Sequence, residues 1–200
     1  MMTTIHSFAP VSRADATVLL LGSMPGVRSL QQAQYYAHVR NAFWPIMGAL
    51  FGAAPELAYA QRLHRLQSQG IALWDVLRCC ERVGSLDVDI SEASIVANDF
   101  ATFFAQHPRI QRVFFNGAKA ETAYRKYVLP TLTGSYAALH YLRLPSTSPA
   151  HAGMTLDQKL ERWKIVKASS HDLDCGAPTY TPALALKGKH PQLLGKTTST

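Results

Sequence analysis

Apolar and polar positions along this chain follow two different periods. ATVLLLG (16–22), GIALWDVL (70–77), RVFFN (112–116) and ALHYLRLP (138–145) have the length and apolar density of strands buried on both faces. Between them, apolar residues recur at helical spacing. FWPIMGALFG and PELAYAQRLHRLQSQG follow the first run, SIVANDFATFFAQHP precedes the third, AKAETAYRKYVLP follows it, and TLDQKLERWKIVKASS follows the fourth. Thr155 and Gln158 make a capping pair for the last helix. The alternation predicts an α/β domain of three layers, with a central, mostly parallel four-stranded sheet and helices on both faces. Ligands in that architecture bind outside the carboxyl ends of the strands.

Composition narrows the picture. At 200 residues and 48% hydrophobic, the chain has enough apolar material for one compact domain. That domain is expected over 1–170, with 171–200 a flexible extension, since the Pro, Thr, Gly and Lys content there rises and the helical period is lost. No apolar run approaches the roughly 18 residues of a bilayer span, and MMTTIHSFAPVSRADA lacks the pattern of a signal peptide. A cytoplasmic protein is expected. Cys79, Cys80 and Cys175 suit neither a disulfide framework nor a zinc site and read as reduced thiols.

Charge adds a direction. The net charge is +7 and the pI about 9.5, as expected of a protein that meets nucleic acid. Residues 16–55 and 122–155 contain no Asp or Glu, yet hold Arg28, Arg40, Arg125, Lys126 and Arg143. Within the first window, YYAHVRNAFW (35–44) gathers four aromatics, a His, an Arg and an Asn without an acid. A hydrophobic core would take the rings and reject the Arg and Asn, whereas a site for stacked bases and phosphates would take them all.

The ends of the predicted strands carry the remaining unusual residues. GSMPG (22–26) follows the first strand as a tight turn with exposed amides. It matches neither a phosphate loop, nor a dinucleotide fingerprint, nor a hydrolase nucleophile elbow. LPSTSPAH (144–151) follows the last strand as a small hydroxylated loop between prolines, which taken alone is an ordinary turn.

Taken in order, these segments resemble the uracil-DNA glycosylase superfamily. GSMPG looks like its first motif and LPSTSPAH like its second. IALWDVLRCCERVGSLD looks like the second-strand region with a downstream Gly-Ser-x-Asp, and FFNGAKA like the third strand entering a helix. NAFWP, WDVL, GSLD and PSTSPA look most like the hypoxanthine-removing branch, with the mismatch-specific uracil and thymine glycosylases as near relatives. The resemblance implies a monofunctional glycosylase of base excision repair that flips a deaminated base out of DNA and hydrolyses its glycosidic bond, without cofactor or metal, as a monomer. Hypoxanthine is the expected base, with uracil in G:U mispairs as a further one.

Site residues implied by the resemblance are Asn41 as the catalytic amide and Tyr36 as the ring on which the base stacks. Gly22, Ser23, Met24, Pro25, Gly26, His38 and Asp75 would complete the base pocket. Arg40, Pro145, Ser146, Thr147, Ser148 and His151 would meet DNA. Phe43 and Trp44 read as core anchors; Tyr35 and His38 fit core packing and base contact equally. Arg78, Arg82, Arg125 and Arg143 are further phosphate candidates, and Lys119 shows no sign of Schiff-base chemistry. Two departures stand out: Met24 replaces the Asp or Asn that many members place before the Pro of the first motif, and Leu144 replaces a polar residue at the start of the second. They leave open a catalytically weak or inactive binder of damaged DNA with the same fold; a G:T/U mismatch-specific uracil glycosylase is a separate alternative that the same motifs would fit.

Overall fold

A computed structural model of the protein describes residues 3–134, 136 and 139–168. In chain order its elements are β1 (Thr3–His6), β2 (Val18–Gly22), α1 (Val27–Gln32), α2 (Phe43–Phe51), α3 (Tyr59–Ser68), β3 (Ile71–Asp75), β4 (Leu77–Arg82), β5 (Val96–Ala97), α4 (Phe100–Gln106), β6 (Arg112–Asn116), α5 (Ala118–Ala123), β7 (His140–Leu144) and α6 (Leu156–Trp163). The four apolar runs become the parallel sheet, in the order β3-β2-β6-β7. Because side chains alternate across a strand, β2 divides its apolar residues between two cores. Leu19 and Leu21 join Ala72, Trp74, Phe115 and α4 on one face, while Val18 and Leu20 join Leu73, Phe114, Phe43 and Trp163 on the other. Among the described residues no helix is long and apolar enough to cross a membrane.

Several boundaries differ from the sequence expectation. The second run breaks after Asp75, and Leu77–Arg82 enters a separate antiparallel sheet ordered β1-β4-β5. Its strands are short or charged, so no apolar period announced them. The helix expected from Ser94 starts at Phe100, where the Asp99 carboxylate accepts a hydrogen bond from the Thr102 amide at 3.0 Å. Upstream, pairing with β4 holds Val96–Ala97 extended. The short α1 went unanticipated because it lacks a side-chain cap and an apolar stripe. The last helix is capped as expected: the Gln158 amide donates to Thr155 Oγ1 at 3.2 Å, and the Thr155 amide donates to Gln158 Oε1 at 2.9 Å. Cys79 and Cys80 are free thiols; Cys175 and the extension 171–200 lie outside the described residues.

Candidate active site

The carboxyl ends of the parallel strands lie side by side. Gly22 is in register with Asp75, and Asn116 with Leu144, so β2, β3, β6 and β7 deliver their following residues to one edge. Packing there is close enough to demand glycine. A Cβ on Gly22 would fall 2.4 Å from Asp75 Oδ1 and 3.0 Å from the Tyr36 hydroxyl.

The turn after β2 is less open than expected. Residues 22–25 are buried, and the loop after β4 braces them from outside. Arg82 donates from Nη2 to the Pro25 carbonyl at 2.5 Å and from Nε to the Gly84 carbonyl at 2.9 Å. The Ser23 hydroxyl donates to Asp87 Oδ1 at 2.8 Å, and the Val27 amide donates to Ser85 Oγ at 2.9 Å. Arg82 is thus a buried strut between two loops and is withdrawn from the phosphate candidates.

The aromatic segment splits between core and site. Tyr35 and Trp44 are buried, and the Trp44 indole donates to the Tyr35 carbonyl at 2.9 Å. Tyr36 instead faces the site, with φ +55, a conformation L residues seldom adopt. One face of its ring stacks on Phe43, 3.9 Å between centroids at 23°. Burial, reinforced by the Asp75 charge and opposed by the neighbouring Asn116 amide, holds its hydroxyl pKa well above the usual tyrosine value. Asn41 Oδ1 accepts from the Phe43 amide at 3.0 Å. Of the two ends of an Asn amide only the oxygen can accept from a backbone N–H, so this bond orients the side chain and leaves the Asn41 NH₂ group to donate. His38 Nδ1 accepts from the Arg40 amide at 3.1 Å.

The loop after β7 is tied down by Asn116. Its Nδ2 donates to Thr147 Oγ1 and its Oδ1 accepts from the Thr147 amide, both at 2.8 Å. The Ser148 amide donates to Ser146 Oγ and the Ala150 amide to Ser148 Oγ, both at 3.2 Å. The loop amides at 147, 148 and 150 are therefore engaged, and the seryl hydroxyl hydrogens remain to meet a phosphate.

These pieces enclose a cleft of about 440 Å³. Its walls include residues 22–26, Tyr36, His38, Arg40, Asn41, Asp75, Ser146, Thr147 and Ser148. Pro145 and His151 are outside it. The Pro145 carbonyl accepts from the Trp163 indole at 3.0 Å, while exposed His151 offers its own carbonyl to Lys159 Nζ at 2.8 Å. Met24 lines the cleft, but Leu144 is packed into the core. Asp75, 3% exposed, is the buried acid of the wall. Burial first, and the Asp87 carboxylate second, push its pKa up to about 8, against an opposing pull from Arg82. Burial also raises Asp87, opposed by the Ser23 hydrogen bond and by Arg82. Among the described residues no cluster of His, Cys, Asp or Glu could hold a metal ion.

Residues 9–168 match the family model described as the uracil DNA glycosylase superfamily. The chain belongs to this superfamily. It is 36% identical over 116 residues to a hypoxanthine DNA glycosylase of Methanosarcina barkeri, covering 58% of this chain and 72% of the relative. A hypoxanthine DNA glycosylase of Methanosarcina acetivorans is 33% identical over 139 residues, covering 65% of this chain and 87% of that one. The solution NMR structure of a Methanosarcina acetivorans protein assigned to the uracil DNA glycosylases superposes with a TM-score of 0.66 at 28% identity, over 83% of this chain and 100% of that one.

Sequence reasoning missed Asn116, Asp87 and Ser85, which also line the cleft. Asn116 carried the signal used for Asp75, a polar residue closing a parallel strand. Ser85 and Asp87 lie in the quoted GSLD segment but are brought to the site only by the fold of the small sheet.

Proposed function

We propose that this DNA glycosylase is monofunctional and excises hypoxanthine, drawing the damaged nucleotide out of the duplex and hydrolysing its N-glycosidic bond. The observation that carries the proposal is the convergence of Tyr36, Asn41 and Asp75 on one cleft at the carboxyl edge of the sheet. A flipped base extends the stack that Phe43 and Tyr36 begin, on the Tyr36 face turned from Phe43; such a contact contributes about 1–3 kcal/mol. Breaking the bond leaves positive charge on the sugar, so a positioned neutral water suffices as nucleophile. Asn41 is placed to hold that water through its amide, which stays uncharged throughout.

No lysine lines the cleft among the described residues, and Lys119 is ion-paired to Glu92 at 3.0 Å, which supports hydrolysis without Schiff-base chemistry. Arg28 and Arg40 in the wall, with the Ser146 and Ser148 hydroxyls, suit backbone phosphates. Exposed Val39, between two wall residues, suits the base stack that a flipped nucleotide vacates.

Single-turnover excision from duplexes carrying deoxyinosine, deoxyuridine opposite guanine or thymine opposite guanine tests the assignment. Hypoxanthine should leave fastest, uracil more slowly and thymine slowest. Faster release of uracil makes the protein a mismatch uracil glycosylase. Tight binding of all three without release makes it a binder of damaged DNA, the second reading that apolar Met24 and core-packed Leu144 favour.

A further inference from the structure

Asp75 is the buried acid of the cleft, and no cation is ion-paired to it among the described residues. Its Oδ2 has no hydrogen-bond partner. The groups facing it are Arg82 from β4, Asp87 from the loop beyond β4, Tyr35 and Tyr36 from the segment between α1 and α2, and Tyr59 from α3. The single cation in this set, Arg82, gives Nε and Nη2 to the Gly84 and Pro25 carbonyls and forms no ion pair with Asp75; its Nη1 has no hydrogen-bond partner, and its charge pulls against burial and Asp87 without outweighing them. The single anion, Asp87, repels a second negative charge, and the three phenols carry none. A carboxylate at position 75 would therefore be buried, unpaired and beside another acid, and burial with Asp87 pushes its pKa up to about 8. These surroundings favour the carboxylic acid over the carboxylate at neutral pH. That form has an O–H to donate, which a carboxylate lacks.

Resting on the hypoxanthine reading, we propose that Asp75 acts as a neutral acid that donates a hydrogen bond to O6 of the departing hypoxanthine. As the C1′–N9 bond breaks, its electron pair stays with the base and delocalises towards O6. The water oxygen bonds to C1′, and the proton that water releases ends on the expelled base. Asp75 keeps its own proton. A fixed donor aimed at an oxygen whose negative charge grows is stronger in the transition state than in the ground state, so it accelerates the chemical step.

The test is the pH profile of single-turnover release from a deoxyinosine duplex, with thermal melts to confirm that each variant is folded. The parent should lose activity as pH rises through about 8, when the proton leaves Asp75. Asp75→Asn keeps a donor of similar shape that does not titrate; it should be slower at pH 7 but lack that alkaline limb. Asp75→Ala should lose about 100-fold on deoxyinosine and far less on a duplex carrying unsubstituted purine, which has no O6. His38→Gln, altering another wall residue, should retain the limb. The role is overturned if the alkaline limb survives in Asp75→Asn, if it disappears in His38→Gln, or if Asp75→Ala loses equally on both bases. Those outcomes leave hypoxanthine as substrate. A parent that releases no hypoxanthine removes the substrate reading and the role together.

Discussion

Asn41 and Asp75 differ in how the fold treats their polar atoms. The Asn41 oxygen is fixed by the Phe43 amide at the start of α2, so substitution affects both helix and chemistry. Asn41→Ala should cost about 1 kcal/mol of stability for the lost hydrogen bond. It should also lower single-turnover base release by about 100-fold while leaving binding of abasic DNA nearly unchanged. Equal release by variant and parent removes Asn41 from the mechanism. For Asp75 the folded-state pKa, about 8, lies above the ordinary 3.8. The folded protein thus holds this proton more tightly than the unfolded chain, so its contribution to stability is complete below about pH 4 and is lost as pH rises to about 8. Asp75→Asn should therefore gain stability over the parent progressively across that window and level off above it. Urea melts at several pH values check this, and a constant difference contradicts it.

At the scale of elements, the site rests on pieces that make no chemical contact with a base. Helix α6 buries Trp163, which donates to the Pro145 carbonyl and so anchors the loop after β7 from behind. Its first turn depends on the reciprocal Thr155 and Gln158 bonds. Thr155→Ala should cost about 1 kcal/mol in denaturant unfolding and leave excision close to parental. A large loss of excision at full stability would show that α6 does more than support the loop. The β4 strand illustrates the opposite case. LRCCER has no apolar alternation strong enough to announce a strand, yet pairing with Thr3–His6 and Val96–Ala97 makes it one, and through it Arg82, Ser85 and Asp87 reach the first turn.

For the whole molecule, the basic excess should govern affinity for DNA. Each phosphate neutralised contributes about −0.9 to the slope of log affinity against log salt. Arg28 and Arg40 at the cleft, with other cations on that face, should give a slope of about −2 or steeper, while a flat response contradicts the proposed DNA face. We further propose that one domain over 1–170 suffices. The family match ends at 168, and every wall residue of the cleft lies between Gly22 and Ala150. Deleting 175–200 should leave soluble protein with excision little changed; loss of soluble protein would show that the extension packs on the domain.

The parallel sheet, most of its helices, and the segments that form the cleft were legible in the sequence, because burial on both faces writes a continuous apolar run and a helix writes its period in neighbouring residues. The segment 35–44 stood out for a related reason, gathering polar and aromatic groups where a core would not place both, and the resemblance to the superfamily then singled out Asn41 and Tyr36 within it. Spatial neighbours could not be read this way. That Gly22 abuts Asp75, that Arg82 is a buried strut and not a phosphate ligand, that the loop amides after β7 are engaged, and that Asp75 Oδ2 is left without a hydrogen-bond partner are facts about residues distant in sequence. Burial and proximity, which set the charge state of Asp75, arise only when the strand ends and the β4 loop meet, and only the tertiary structure brings them together.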